Sequence, residues 1–155
     1  MRWMAMFFIL TPLAVQAATE ELNVTIASGS VEPVVYRYPL DQERREIDLR
    51  QSGRYHVAFK DTATKKVICR EAQYKTGLSL TLKPLPKEDG AAQKVEVIGL
   101  VTKLAGVKDG ERFSCGINQE VSLSHQDFSD TVVVEENRTK AIVIDGVYTV
   151  ILKIQ

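Results

Sequence analysis

The stretch that decides the fold is Leu78-Ser79-Leu80-Thr81-Leu82-Lys83, in which leucine alternates with a polar residue at every step. Successive side chains of a β-strand point to opposite faces of a sheet, so the three leucines share one face. Tyr148–Ile154 repeats the pattern, with Val150, Leu152 and Ile154 on a common face. Both stretches therefore predict strands that bury one side against a core.

The rest of the chain extends this pattern. Short runs rich in Val, Ile, Thr and Tyr recur, and helical periodicity is nearly absent. Asp-Gly pairs, which favour tight turns, occur at Asp109-Gly110 and Asp145-Gly146. Because each strand can bury only one face, two sheets must pack together. We therefore predict a single all-β domain, an antiparallel β-sandwich or a partly open barrel of about 8 to 11 short strands.

The N-terminus has the order of segments typical of a cleavable signal peptide. Arg2 precedes an almost entirely apolar run that ends at Val15, and Gln16-Ala17 follows. The run is about 13 residues long, whereas a membrane-spanning helix needs about 20. We predict cleavage after Ala17, or else after Ala18. Residues 18–155 then form one domain with no transmembrane segment, periplasmic or secreted, with a Gram-negative periplasm favoured.

The charge balance argues against two classes of partner. The chain has 20 Lys and Arg residues against 20 Asp and Glu residues, and the two signs are interspersed. A nucleic-acid-binding protein needs a basic stripe or face, and none is visible in the sequence. Nucleic acid is therefore not an expected partner, and an anionic membrane surface is disfavoured for the same reason.

The two cysteines, Cys69 and Cys115, predict a disulfide, because an even number of cysteines in an exported protein is typical of one. Cys69 shares a strand face with Val67, and Cys115 shares one with Phe113 and Ile117. Both sulfurs are therefore expected to point into the core. Two free buried thiols are the alternative. A metal held by two isolated cysteines, without a nearby pair of histidines, is disfavoured.

The densest group of chemically versatile side chains lies in residues 124–130, which we interpret as a polar loop between strands. Its candidate binding residues are Ser124, His125, Asp127, Phe128 and Asp130. A Ser-His-Asp triad requires a set geometry and an oxyanion hole, and the segment has no nucleophile elbow. His125 and Asp127 alone are too few ligands for a metal. We therefore predict no catalytic residue, no metal ligand and no cofactor.

Part of the chain resembles the strand pattern of bacterial outer-membrane secretin channels. The likeness starts at Gly77, follows the alternating residues to Pro84, and includes Asp89-Gly90 and Val95-Glu96-Val97. Residues 130–146 continue it, so the resemblance covers roughly half of the predicted mature chain. It implies a bacterial envelope protein associated with export or surface assembly.

These observations favour a non-enzymatic binding or accessory protein of the bacterial cell envelope, serving secretion or surface assembly, with another envelope protein as its partner. One alternative is an exported inhibitor that inserts residues 124–130 into an enzyme's cleft, and a second is a small exported hydrolase. An enzyme needs a convergent polar pocket with perturbed titratable groups. An accessory domain needs an exposed edge strand or an apolar surface patch.

The signal-peptide hypothesis makes a direct prediction about the exported protein. N-terminal sequencing of that form is expected to begin at or next to Ala18, since the apolar run ends immediately before it. Recovery of intact Met1 in the membrane fraction would contradict the hypothesis.

Overall fold

The computed structural model describes residues 20–29, 31–88 and 90–155. The predicted signal peptide, residues 1–17, and the predicted new N-terminus lie outside these ranges. Within them the chain forms nine strands. They are β1 (Glu21–Ser28), β2 (Val31–Pro39), β3 (Arg45–Asp48), β4 (Gln51–Lys60), β5 (Val67–Pro84), β6 (Gln93–Phe113), β7 (Gly116–Val134), β8 (Thr139–Ile144) and β9 (Tyr148–Ile154). The same ranges contain no helix of the length and hydropathy needed to cross a membrane.

The strands build two antiparallel sheets, so the predicted all-β sandwich is confirmed. One sheet has the order β2-β1-β9-β8, and the other has the order β3-β5-β6-β7, with β4 also pairing with β5. Among the described strands no closed barrel forms. The predicted hairpin around Asp145-Gly146 joins β8 to β9, and Asp145 has the positive φ of 54° that a tight turn favours.

The core lies between the two sheets and consists of alternate residues of their strands. Leu78, Leu80 and Leu82 are each 0% exposed, as their shared face predicts. The opposite sheet contributes side chains from β1, β8 and β9 that are almost fully buried, namely Leu22, Val24, Ile26, Ile144, Val150, Leu152 and Ile154. Burial of each such aliphatic side chain stabilises the fold by about 1.5–3 kcal/mol.

Three strands extend well beyond this core. β5, β6 and β7 have 18, 21 and 19 residues. Side chains of β6 alternate between buried and exposed as far as Thr102, and almost all of them are exposed from there to Phe113. We call the exposed part of the sheet the arm. It consists of the β4–β5 hairpin, residues 51–76, and the distal half of the β6–β7 hairpin, residues 103–124.

The strands β5, β6 and β7 are therefore longer than the short strands that the sequence predicted. Asp109-Gly110, expected to make a turn, lies inside β6, where the register with β7 shifts between Asp109 and Arg112. The chain reverses direction only at Ser114 and Cys115. A bulge accommodates the extra residues while the strand continues, so an Asp-Gly pair here bends a long hairpin instead of ending it.

The arm leaves the sandwich at a corner around Gly77. β3 pairs with β5 on one side of this residue and β4 pairs with β5 on the other. Asp48 accepts hydrogen bonds from the Arg50 side chain, with Oδ1 2.7 Å from Nε. The hydrogen bonds from Arg50, followed by that from Lys75, hold the pKa of the Asp48 carboxyl well below its usual range. A charged contact thus lies at the corner, at the end of β3.

Gly77 itself has a backbone conformation that disfavours other residues. Its φ is +127°, and an added Cβ would lie 2.9 Å from Leu49 O and 3.0 Å from Arg50 Cα. Both of these are backbone atoms of the connection between β3 and β4, so they cannot move aside as a flexible side chain would. The point at which β5 changes its pairing partner from β4 to β3 therefore requires glycine.

We expect Gly77→Ala to lower the free energy of unfolding by about 1–3 kcal/mol, because the substitution adds backbone strain and a contact with fixed atoms. Urea denaturation measures the change. Gly106→Ala is the matched control, since an added Cβ at Gly106 meets no atom within 4 Å. Equal effects of the two substitutions would show that the Gly77 corner does not constrain the fold.

Candidate functional site

The predicted binding loop is a strand. Ser124, His125, Asp127, Phe128 and Asp130 all lie within β7, in unbroken register with β6. The loop interpretation was wrong because an edge strand whose side chains are largely exposed has the polar composition of a loop. Phe128 packs against the core cluster, and the other four side chains are exposed.

His125 is held against the neighbouring strand. Its Nδ1 atom lies 3.1 Å from Oγ1 of Thr102, the residue directly opposite on β6, and Thr102 is only 4% exposed. Ser124 points to the other face of the sheet because neighbouring side chains alternate. The contact orients the imidazole on the outer face of the sheet and pairs it with a buried threonine hydroxyl. The absence of catalytic residues stays a prediction.

The more distinctive feature of β7 is its backbone. Leu85 N–H donates to Lys94 C=O at 2.9 Å and so extends the hydrogen-bond ladder between β5 and β6. The backbone N–H and C=O groups of Lys94 and of every second residue after it therefore point toward β5. The intervening residues of β6 bond to β7, and Val97 is thereby paired with Asp130. The alternate residues of β7 must turn their N–H and C=O groups away from β6. They are His125, Asp127, Ser129, Thr131 and Val133.

A side-chain contact supports this direction. Thr131 N–H donates to Oδ1 of Asp130 at 2.8 Å, as an amide facing away from β6 can do. Among the described strands β7 pairs only with β6. We call the backbone edge of residues 124–134 the β7 edge. It is a row of hydrogen-bonding groups in the strand conformation, with one amide capped by a carboxylate.

In the arm, side chains of β7 cover the outer edge of β4. Oε1 of Gln119 accepts the N–H of His56 at 3.0 Å, and Oδ1 of Asn118 accepts the N–H of Ala58 at 3.1 Å. Nε2 of Gln119 also donates to Asp109 Oδ1 at 3.2 Å, which holds the side chain in place. Two donors of β4 are therefore satisfied within the chain.

The remaining sheet edges are shorter or lack donors. β2 is an edge strand, but Pro33 and Pro39 have no N–H group. β3 has 4 residues and β8 has 6. Proline, short length, local covering and charged side chains are devices by which proteins protect edges from pairing. Of these devices, the β7 edge in the described part of the chain has the charged side chains of Asp127 and Asp130 and one capped amide.

The predicted disulfide between Cys69 and Cys115 is confirmed, with the two Cα atoms 6.3 Å apart. Its predicted inward orientation is wrong, because both cysteines are exposed. Cys69 lies in the arm half of β5, where the opposite sheet is absent, and Cys115 lies in the β6–β7 turn. Strand parity indicated a common face, but it could not indicate that no second sheet covers that face.

A cleft of about 530 Å³ lies between the sheets where the arm leaves the sandwich. Its lining includes Ile26, Leu49 and Val101, along with Lys103. Nζ of Lys103 is 2.5 Å from Oδ2 of Asp145, so this cation is already paired. The volume is in the range of small-molecule sites. The cleft offers mainly apolar packing surface. Within the described residues, no group of three or more His, Cys, Asp or Glu side chains is placed to hold a metal.

Comparison with known proteins found no matching protein family, no similar curated protein and no similar solved structure. The class of protein is therefore defined by the fold, a two-sheet antiparallel β-sandwich with a disulfide-bonded arm. Sequence reasoning did not identify the β7 edge, because strand order determines which strands lie at the edge of a sheet, and strand order is not visible in the sequence. The available signal was the parity of Phe128, Val132 and Val134, which makes residues 124–134 one continuous strand.

The disulfide is expected to stabilise the arm more than the sandwich. In the variant with both Cys69→Ser and Cys115→Ser, arm amides should exchange with deuterium faster, while amides of residues 78–84 should change little. The loss in global unfolding free energy should be below the roughly 4 kcal/mol of the chain-entropy estimate, since the arm can open by itself. Ser114→Ala, beside Cys115, is the control. Equal acceleration in the arm and the core would refute this expectation.

Proposed function

We propose that this protein is an exported, non-enzymatic binding protein of the bacterial cell envelope that recognises an extended segment of another envelope protein. The segment would add as a further strand at the β7 edge. The observation that carries this proposal is the row of backbone groups on β7 that face away from β6, from His125 to Val133.

The backbone geometry supports strand addition as the mode of binding. In this mode main-chain hydrogen bonds supply affinity, and alternate side chains supply specificity. Each net hydrogen bond contributes about 0.5–1.5 kcal/mol, so a ladder along residues 125–133 would give a stable complex despite the ordering cost of the segment. The partner strand would also cover the partly exposed side of Phe128, which packs at the margin of the core.

Other observations support export and an envelope location. The predicted signal peptide directs the chain out of the cytoplasm, and exposed disulfides persist in oxidising compartments. The resemblance to secretin channels favours a bacterial envelope and a role in secretion or surface assembly. The inhibitor alternative is less favoured, because residues 124–130 are held in a strand and do not protrude as a loop.

The binding mode predicts a specific effect of proline. Ser129 lies in the middle of the edge with its N–H directed away from β6. We expect Ser129→Pro to remove an edge donor and insert a ring into the path of the added strand, while the β6–β7 ladder stays intact. Capture of envelope partners by the purified protein should fall at least about tenfold, as loss of about 1.4 kcal/mol or more implies.

Ser129→Ala is the matched control, because it removes the hydroxyl and keeps the N–H. It should bind as the wild type does, and circular dichroism should show an unchanged fold for both variants. Retained partner capture by a folded Ser129→Pro variant would contradict strand addition at this edge.

A further inference from the structure

We infer that the segment recognised at the β7 edge carries two basic residues three positions apart within an otherwise β-prone sequence. This inference rests on the proposed function, since it describes the partner of the same edge. It follows from the placement of Asp127 and Asp130 and from the alternation of side chains along β7.

Both carboxylates stand beside the open edge without a cationic partner. The ion pairs of the described residues involve neither Asp127 nor Asp130, and both side chains are exposed. Asp130 instead accepts the Thr131 N–H. An added strand would offer its own carbonyl to that amide and would free the Asp130 carboxylate for a new contact. The edge thus presents two negative charges whose partners would come with the bound segment.

The spacing of Asp127 and Asp130 determines the spacing of the basic residues in the partner segment. Asp127 lies on the outer face of the sheet with Ser129 and Thr131, and Asp130 lies on the opposite side with Phe128 and Val132, because side chains alternate. Residues directly opposite in paired strands interact through their side chains, and opposite charges there are favourable. A regular partner strand, in either direction, would meet the two aspartates with residues three positions apart.

The sequence itself argues against a second copy of this chain as the partner. None of its 20 Lys and Arg residues lies three positions from another. Antiparallel pairing of two β7 edges would also bring Asp127 and Asp130 of both copies close together, which like-charge repulsion disfavours. The charge complement must therefore come from a different protein.

The other side chains of the edge define the rest of the pattern. Ser129, Thr131 and Val133 on the outer face are small or β-branched, and Phe128 and Val132 on the inner face are apolar. Cross-strand pairs of β-branched and aromatic residues are favourable, so valine, isoleucine and threonine are the expected neighbours of the basic residues. The bound segment is thus a mainly apolar strand with one cation on each face.

Synthetic peptides test the inference directly. The probe is a capped nine-residue peptide of alternating threonine and valine, in which two lysines replace residues three positions apart. The control peptide has glutamine at both lysine positions. Binding of each peptide is measured by fluorescence anisotropy at low and high salt, to the wild type and to Ser129→Pro.

The lysine peptide is expected to bind more tightly than the glutamine peptide, by about 2- to 5-fold for each ion pair, with the difference reduced in high salt. The double variant Asp127→Asn, Asp130→Asn should remove this preference. An asparagine at position 130 keeps a side-chain oxygen to accept the Thr131 N–H, so the edge itself is preserved.

The outcomes separate the inference from the proposed function. Equal binding of the two peptides to the wild type, or a preference that survives the double Asn variant, would overturn the charge pattern. If both peptides nevertheless lost binding to the Ser129→Pro variant, strand addition at the β7 edge would remain supported without the charge pattern. Binding insensitive to Ser129→Pro, or no binding of the lysine peptide to the wild type, would overturn the inference together with its assumed site.

Discussion

The alternation of side chains imposed by the core is the constraint on which the rest of the structure depends. Once Leu78, Leu80 and Leu82 face the opposite sheet, the register from β5 to β6 and from β6 to β7 determines which side chains face outward. The same register determines which backbone groups of β7 have no partner strand. The exposed edge is therefore a consequence of core packing and strand order.

The edge strands differ in how far their backbone N–H donors are removed or covered. Two prolines interrupt the donors of β2, and amides from Asn118 and Gln119 cover β4, whereas β7 has a single capped amide. Charged side chains on an edge restrict which strands can add to it. The β7 edge with its two carboxylates is for this reason the surface that we propose for binding.

Sequence patterns identified the all-β class, the buried leucines, the hairpin at Asp145-Gly146 and the Cys69–Cys115 pairing, because these depend on local alternation or on a count. They did not identify the arm, since a bulge and a turn share the same Asp-Gly signal. The polar segment 124–130 was interpreted as a loop for a similar reason. Polarity marks exposure, and both loops and edge strands are exposed. Strand order is a non-local property, so the candidate site required the structure.

The most direct test of this account is residue-resolved amide exchange by NMR on the isolated protein. If the β7 edge is open, the amides of His125, Asp127, Ser129 and Val133 should exchange quickly, while those of Gln126, Phe128 and Val132, bonded to β6, should be protected. This two-residue alternation is the predicted result. Protection of both sets would mean that another segment covers the edge, and rapid exchange of both would mean that residues 125–133 do not pair with β6; either result would contradict the account.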